Sequence, residues 1–296
     1  MECPICSKKF ELHDFSSLSE HFIIMAGVSD SDHVSWLNNN ISKLKLNRSE
    51  LSRKFRDYYC NTNLKAWIIE RFIEQFRGEK PHPFILMMQD YCPSVLKGYS
   101  FEHYFFLKQW VKSCSAIIST TDLDDVQHYE IENILSEYYG YKNSEPHIEL
   151  LLKMGEAYGI SRNRIYNSRP LPRTEKAIEI WKSIAREKSW IEIMAAMHSL
   201  ELIANSSLRD CGARYDYFSP AIFDNPNIPG AVKSFLMEGY KADVSHSMEA
   251  LNLIDKYASK DTEEGIQDAF LSSTYVFGKY LEARIERGAI IENEQH

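Results

Sequence analysis

Apolar residues recur every three to four positions along most of this chain, which is the spacing of one face of an α-helix. In the segment 64–76, for example, Trp67, Ile68, Phe72 and Phe76 follow that spacing. Alternating patterns typical of strands are scarce. We therefore predict helices over 48–60, 64–76, 100–118, 124–139, 146–159, 174–186, 190–206, 230–257 and 262–287.

Glycine and proline mark the ends of these helices. Pro93 and Gly98 interrupt a helix that follows Pro83, and Ser100 is a suitable N-cap for the apolar helix after it. The loop 224–230 is the clearest break in the second half. No internal repeat is present. The pattern predicts an all-α fold, with a helical domain over residues 46–290 and a small appendage over residues 1–45.

Composition narrows the classes of protein and partner. The 296 residues are 44% hydrophobic and 12% aromatic, which is enough for a packed core, and the net charge is -8. An acidic chain is a poor partner for nucleic acid, because phosphate binding needs a basic face. No run of 18 apolar residues predicts a membrane span, and the first residues lack the pattern of a signal peptide. We expect a cytoplasmic protein with reduced cysteines.

Cysteine and histidine near the start of the chain predict a zinc site. Cys3 and Cys6 have the C-x2-C spacing of a zinc knuckle, with His21 and His33 downstream as the other ligands and His13 as a competitor. The spacing of the second histidine is not that of a standard finger. Residues 1–60 hold eight basic and eight acidic side chains, so we expect a structural zinc and not a finger that reads DNA.

Acids and imidazoles also occur on predicted helices further along. Glu137 lies one turn before a helix stop, and His147 lies in the first turn of the next helix. Asp243 and His246 are three residues apart and share a helix face. Glu201 is the most informative, because an acid in so apolar a helix is costly unless it is paired or binds a metal.

These segments resemble the heme-oxygenase-like diiron oxidase family, whose fold is related to the TenA and pyrroloquinoline-quinone-synthase-like proteins. The resemblance rests on residues 133–140 and 145–160, on the acid at 201, and on the His-x3-Asp-x2-His motif around residues 239–246. It covers roughly residues 60–285. It implies a seven-helix up-and-down bundle with one or two iron ions, whose ligands would be Glu137, His147, Glu201, Asp243 and His246.

The chain departs from that family pattern at two places. Gly239 stands where the first histidine of the motif is expected, and glycine cannot bind a metal. The early-helix carboxylate is also unclear, because Glu102 lies near the start of its helix and Gln109 lies nearer the expected level. One iron, two, or a second that arrives with substrate are therefore all open.

The resemblance implies an iron-dependent, O₂-using oxidase or oxygenase that acts on a small metabolite derived from an amino acid, an amine or a fatty acid. An external electron donor and a homodimer are compatible with it. One alternative is a metal-free hydrolase of the TenA kind, for which Cys114 and Cys211 are the candidate nucleophiles. The other is a non-catalytic interaction protein with a vestigial metal site.

Two further groups of residues are candidates for contact with substrate. The aromatic residues of the segment 99–110 suit the walls of a pocket, although ordinary core packing explains them equally well. Several arginines, if they were not simply solvated, would suit a carboxylate: Arg162, Arg164, Arg169, Arg209 and Arg214.

Overall fold

The computed structural model describes residues 1–11, 14–59, 64–140 and 145–294, and within them every side chain except those of 57 and 240–246. This part of the chain is helical, and the β-structure in it is an isolated bridge between Glu2 and Lys9. None of its helices is long and apolar enough to cross a lipid bilayer. The all-α prediction is confirmed.

The α-helices follow one another along the chain. They are α1 (Phe15–Gly27), α2 (Ser31–Asn40), α3 (Arg48–Tyr59), α4 (Leu64–Phe72), α5 (Pro83–Met87), α6 (Pro93–Thr120), α7 (Asp124–Tyr138), α8 (His147–Ala157), α9 (Arg162–Tyr166), α10 (Pro172–Glu187), α11 (Trp190–His198), α12 (Gly230–Tyr257) and α13 (Lys260–Asn293). A π-helical turn, Ile73–Arg77, extends α4, and a 3-10 turn, Ser199–Ile203, extends α11. The longest connection, residues 199–229 between α11 and α12, contains 3-10 turns at Ser199–Ile203, Ser206–Arg209 and Pro220–Ile222.

The long helices α6 and α13 form the centre of the bundle, and α10 and α11 pack against both. Their contact is lined by large aromatic side chains, among which Phe106 packs on Trp181 and Tyr280 with ring centroids 5.2 and 5.4 Å apart. Helices α7, α8 and α12 complete the layer around α6 and α11. This arrangement leaves one face of α6 turned toward the interior of the bundle.

The predicted break at Gly98 was wrong, because α6 begins at Pro93 and continues through Gly98 and Ser100. The glycine serves a close helix crossing instead of a turn. A Cβ on Gly98 would lie 1.9 Å from the Arg284 carbonyl oxygen, and one on Gly288 would lie 2.3 Å from the Ser94 carbonyl oxygen. Glycine therefore lets the backbones of α6 and α13 touch at this point.

The predicted helix over 190–206 is also shorter than expected. The α-helix ends at His198, and Glu201 lies in the 3-10 turn that follows. A 3-10 helix has three residues per turn, so side chains at i and i+3 lie directly above one another. This geometry brings Glu201 over His198.

The N-terminal residues pack against the helical bundle. Phe22 of α1 lies between Trp36 of α2 and Phe55 of α3, with ring centroids 5.2 Å from each. The Glu2 backbone N–H donates to Asp268 Oδ2 of α13 at 2.8 Å. The N-terminal segment thus shares one core with the bundle. The domain boundary between residues 45 and 46 stays a prediction.

Candidate active site

A cavity opens inside the bundle beside α6. Its empty space, part of which is open to solvent, is about 690 Å³. Five side chains of α6 line it, and four of them, Tyr99, His103, Phe106 and Trp110, recur along the helix. Their spacing of four, three and four residues places them on one helix face. We call these four side chains the α6 row. At about 1.5 Å per residue the row extends roughly 16 Å along the helix.

Glu137 and His147 meet at the wall of this cavity. His147 Nδ1 and Glu137 Oε1 are 2.8 Å apart, although they come from the end of α7 and the start of α8. The end of one helix and the start of the next thus bring these two side chains together. Glu137 is buried, and its other oxygen, Oε2, has no hydrogen-bond partner in the part of the chain that the structure describes.

Glu201 lines the same cavity from the 3-10 turn. Its Oε1 lies 3.7 Å from His198 Nδ1, and its Oε2 is buried without a hydrogen-bond partner among the described residues. His198 is fully buried, and its Nε2 lies 2.9 Å from a carboxylate oxygen of Glu130. Burial opposes the charge on His198, but Glu130 and then Glu201 outweigh it and raise the pKa of the imidazole to about 10. His198 is therefore a cation held between two carboxylates.

The remaining predicted ligands are only partly visible. The side chains of Asp243 and His246 lie outside the described residues, although the α12 backbone that carries them is helical. Gly239, one turn earlier, lines the cavity. Among the described side chains, Glu137, His147 and Glu201 share the cavity but do not form a cluster with all donor atoms within 4.8 Å.

Neither Glu102, the candidate for the early-helix carboxylate ligand, nor Gln109 lines the cavity. Glu102 is fully buried, but it accepts hydrogen bonds from Arg287 Nε at 2.7 Å and from the Leu171 backbone N–H at 3.1 Å. Gln109 donates to Ser113 Oγ at 3.3 Å. Neither side chain is part of the cavity lining, so we assign both a role in packing.

The two candidate nucleophilic cysteines also lie away from the cavity lining. Cys211 is exposed, and Cys114 is buried. Burial, and then Glu130, raise the pKa of the Cys114 thiol well above its usual value. Cys114 is thus held as an unreactive thiol.

Arg284 of α13 lines the cavity beside the start of the α6 row. It is fully buried, and its guanidinium carbon lies 3.7 Å from the centroid of the Tyr99 ring. It donates to Tyr217 Oη at 3.0 Å, to Tyr280 Oη at 2.5 Å and to His103 Nδ1 at 2.9 Å. The cavity therefore has a cationic end at Tyr99 and an acidic side that includes Glu201.

Three of the predicted wall residues line this cavity, namely Tyr99, Phe106 and Trp110, whereas Phe101, Tyr104 and Phe105 do not. The five arginines suggested by sequence do not line it either. Among them, Arg162, Arg164 and Arg214 pair with carboxylates at 2.5 to 2.8 Å near the surface. Arg284 was missed because α13 is long and ordinary in composition. Its signal is the spacing Phe277, Tyr280, Arg284, which places the arginine on an aromatic helix face.

A second group of ligands lies at the N-terminus. Cys3, Cys6, His21 and His33 place one donor atom each within 4.8 Å of all the others. Cys3 Sγ lies 3.4 Å from His33 Nε2, Cys6 Sγ lies 3.3 Å from His21 Nε2, and the two Nε2 atoms are 3.2 Å apart. A tetrahedral Zn²⁺ separates such donors by roughly 3.3–3.8 Å, so the four residues fit zinc.

The unusual histidine spacing has a structural reason. His21 belongs to α1, whereas His33 lies in the first turn of a second helix, α2, which is capped by Asp30. Asp30 Oδ1 also lies 2.7 Å from His33 Nδ1, which leaves Nε2 as the ligand atom. His13, the competing ligand considered from sequence, lies outside the described residues.

The bundle has a heme-oxygenase-like fold. It aligns with a domain with a heme oxygenase-like fold from Shewanella denitrificans at a TM-score of 0.57 and 15% identity, over 84% of this chain and 96% of that one. It also aligns with a TenA homologue from P. horikoshii at a TM-score of 0.56 and 14% identity, over 80% and 98% of the two chains. The fold-class prediction is confirmed.

Residues 67–287 match the TENA/THI-4/PQQC family, and the chain belongs to that family. Residues 2–60 match the C2H2 type zinc-finger (1 copy) family, in agreement with the cysteine and histidine cluster. A 4-aminobenzoate synthase from Chlamydia muridarum is 23% identical over 69% of this chain and 84% of its own length. A pyrroloquinoline-quinone synthase from Cronobacter sakazakii is 29% identical over 42% of this chain and 49% of its own length.

Proposed function

We propose that this protein is a non-heme iron enzyme that uses O₂ to oxidise a small organic molecule in a biosynthetic pathway. Membership of the TENA/THI-4/PQQC family supports an enzyme, and the relatives named 4-aminobenzoate synthase and pyrroloquinoline-quinone synthase support a role in biosynthesis. The protein would act in the cytoplasm, on a small-molecule substrate and O₂, with an external electron donor and as a homodimer, and without nucleic acid or a membrane.

One observation carries the metal part of the proposal. Two carboxylates on the same cavity, Glu137 and Glu201, each keep one oxygen buried and without a hydrogen-bond partner among the described side chains. Burying a carboxylate oxygen without a hydrogen-bond partner costs on the order of several kcal/mol of desolvation free energy. A cation in the cavity removes that cost. Carboxylate and imidazole donors together suit Fe(II).

Glu137, His147 and Glu201 would hold the metal from α7, α8 and the 3-10 turn. Asp243 and His246, on the helix that also brings Gly239 to the cavity wall, would complete the set. Iron held by these ligands would supply the reduction and activation of O₂. The donor set is therefore mixed and incomplete, as a catalytic metal centre requires.

The surrounding residues fix these ligands and the solvent. The His198 imidazole lies 3.7 Å from Glu201 Oε1, and this contact leaves Oε2 as the oxygen that would bind the metal. Glu130 holds the other side of the same imidazole. Phe106 and Trp110 of the α6 row cover the cavity with apolar surface and limit the access of bulk water.

Two observations favour this function over a cysteine hydrolase. Cys114 is a buried thiol whose pKa lies well above its usual value, and Cys211 is exposed away from the cavity. Nucleophilic catalysis needs a thiolate close to the substrate. Neither cysteine meets both requirements.

The first test is iron loading of the purified protein under argon, with metal analysis and then admission of O₂. We expect at least one Fe(II) per chain in addition to zinc, and consumption of O₂ by the loaded protein. Glu137→Gln should lower iron affinity at least tenfold. Glu132→Gln, an exposed acid on the same helix, is the matched control and should bind iron like the wild type. Iron binding at background level in the wild type would refute the proposal.

Gly239 sets the number of irons. We propose that its lack of a donor leaves one well-held iron per chain. Gly239→His would add an imidazole one turn before Asp243, and the iron content should rise toward two. The control is Glu238→His, since the neighbouring position is rotated by about 100° around the helix. If both variants bind as much iron as the wild type, Gly239 does not limit the site.

A further inference from the structure

Arg284 is a buried cation that lacks a carboxylate partner among the side chains that the structure describes. Its guanidinium donates to two tyrosine hydroxyls and to His103, and its Nε–H is buried with no hydrogen-bond partner. Phenol oxygens stabilise a cation by their dipoles but do not neutralise it. The charge of Arg284 is therefore not compensated by these neighbours.

A second fully buried arginine shows how this protein completes such a group when its role is structural. Arg77, on the π-helical turn, has Asp216 Oδ1 at 3.4 Å and donates to the carbonyl oxygens of Tyr215 and Asn205 at 2.7 and 2.5 Å. Arg77 does not line the cavity, whereas Arg284 does. The arginine without an anionic partner is thus the one beside the empty space.

His103 offers a second donor next to Arg284. His103 Nδ1 lies 2.9 Å from Arg284 Nη2 and 2.8 Å from Tyr280 Oη, and because a guanidinium can only donate hydrogen bonds, we assign the lone pair of His103 to Nδ1. The proton of the neutral ring is then on Nε2. Burial, and then Arg284, lower the pKa of His103 well below its usual value, which keeps the ring neutral. His103 is therefore a hydrogen-bond donor at Nε2.

The α6 row separates this cationic end from the acidic side of the cavity. Arg284 packs on Tyr99, the first residue of the row, and His198, which holds Glu201, packs on Trp110, the last, with ring centroids 4.8 Å apart. Phe106 lies between these ends. A molecule that contacts both ends must have an apolar body of appreciable length.

We propose that Arg284, assisted by His103, binds a carboxylate group of the substrate. The substrate is thus a small organic acid whose apolar body lies along the α6 row and whose reacting part lies near Glu137 and Glu201. This assignment rests on the proposed function for its reacting part only. The carboxylate subsite stands on the geometry of Arg284 and does not need iron.

The test compares acids with their neutral amides on the full-length chain, grown in iron-depleted medium so that a carboxylate cannot bind iron. The probes are phenylacetate, 3-phenylpropionate and 4-phenylbutyrate, each against its carboxamide, by calorimetry at pH 7.5. We expect at least one acid to bind tenfold or more tightly than its amide, because only the carboxylate gains charge-assisted hydrogen bonds. An acid-to-amide ratio near one at every length, or no binding of any acid, would overturn the proposal.

Variants locate the effect. Arg284→Gln should reduce the acid-to-amide ratio to near one, and Arg284→Lys should keep part of it. Arg164→Gln is the matched control, since Arg164 pairs with Glu294 at the surface. A ratio unchanged in Arg284→Gln would refute the role of Arg284. If that variant does not fold, the acid-to-amide ratio of the wild type and of Arg284→Lys decides the question.

The two proposals fail separately. Acid selectivity in a protein that binds no iron would refute the iron enzyme and leave the carboxylate subsite in place. Iron binding and O₂ consumption in a protein that does not distinguish acid from amide would do the reverse.

Discussion

Two groups of candidate metal ligands in the described part of the chain differ in completeness. At the N-terminus, two cysteines and two histidines bring four donors within 4.8 Å of one another, and Asp30 supports one of the imidazoles. In the bundle, Glu137, His147 and Glu201 line one cavity without closing around one point. The first group is a closed set of four donors, whereas the second leaves space between its donors.

On the proposed function, this difference is the one between a structural zinc site and a catalytic iron site. A closed tetrahedral set contributes folding energy, and its removal should unfold its surroundings. A catalytic centre contains buried polar atoms that stay unpaired until the metal or the substrate binds. These unpaired atoms lower the stability of the metal-free protein. The two regions should therefore respond to substitution with opposite signs, and the following experiments test that contrast.

The largest effect is expected at the closed site. Cys3→Ser removes a donor from the N-terminal cluster and should lower bound zinc from one per chain to background. Because α1 and α2 are joined through this cluster, the variant should lose more than about 4 kcal/mol of stability in the N-terminal region. Metal analysis and hydrogen exchange on α1 and α2 measure both quantities.

Cys211→Ser is the control for that experiment, because Cys211 is exposed and far from the cluster in sequence. It should retain zinc and stability. Full zinc occupancy in Cys3→Ser would show that the N-terminal ligands do not close around a metal.

A smaller effect, with a difference of sign, is expected for two buried glutamates. Glu102→Gln breaks a buried pair with Arg287 and should cost about 3–5 kcal/mol. Glu137→Gln keeps an acceptor for His147 and removes a buried carboxylate with an unpaired oxygen. The iron-free Glu137→Gln protein should be as stable as the wild type or more stable, by up to about 1 kcal/mol. Urea unfolding of the iron-free proteins gives both values.

Similar destabilisation by the two substitutions would mean that Glu137 is an ordinary packing residue. The contrast between Glu137, which has an unpaired oxygen, and Glu102, which is paired with Arg287, would then be lost.

The smallest effect concerns the contact between the two regions. Asp268 of α13 accepts from the Glu2 backbone N–H, and burial raises its pKa to about 7. Because the folded pKa lies above the unfolded value, the carboxyl contributes stability below about pH 4, and this contribution is lost as pH rises through about 7. Relative to Asp268→Asn, the wild type should lose roughly 1–3 kcal/mol between pH 5 and pH 8. Denaturant unfolding at both pH values measures the difference, and a constant difference would contradict the prediction.

The sequence predicted the zinc ligands well, because cysteine and histidine have few other uses in a short segment. It also placed Glu137 at a helix end and His147 at the following helix start, an arrangement that can bring the two side chains together. It did not predict that Glu201 lies in a 3-10 turn. That depends on how α11 packs at its end and not on local propensity.

The cationic end of the cavity was also out of reach of the sequence. The sequence made five arginines in loops and short helices candidates for contact with a carboxylate, whereas Arg284, in the long helix α13, was not among them. Whether an arginine is buried depends on the helix that packs over it, and this is decided by contacts between α6 and α13, which are far apart in the chain. Gly98 marks the crossing of α6 and α13, but the sequence pattern alone predicted that a helix is interrupted there.

The crossing of α6 and α13 at Gly98 and Gly288 has a consequence for how this cavity can change. The backbones already touch there, so the spacing of the two helices is set by atoms that no side chain can push closer. Tyr99 and Arg284 stand next to that contact. Residues of the α6 row can therefore be exchanged to suit longer or shorter molecules. Arg284, which we propose binds the carboxylate, keeps a fixed place in the bundle meanwhile.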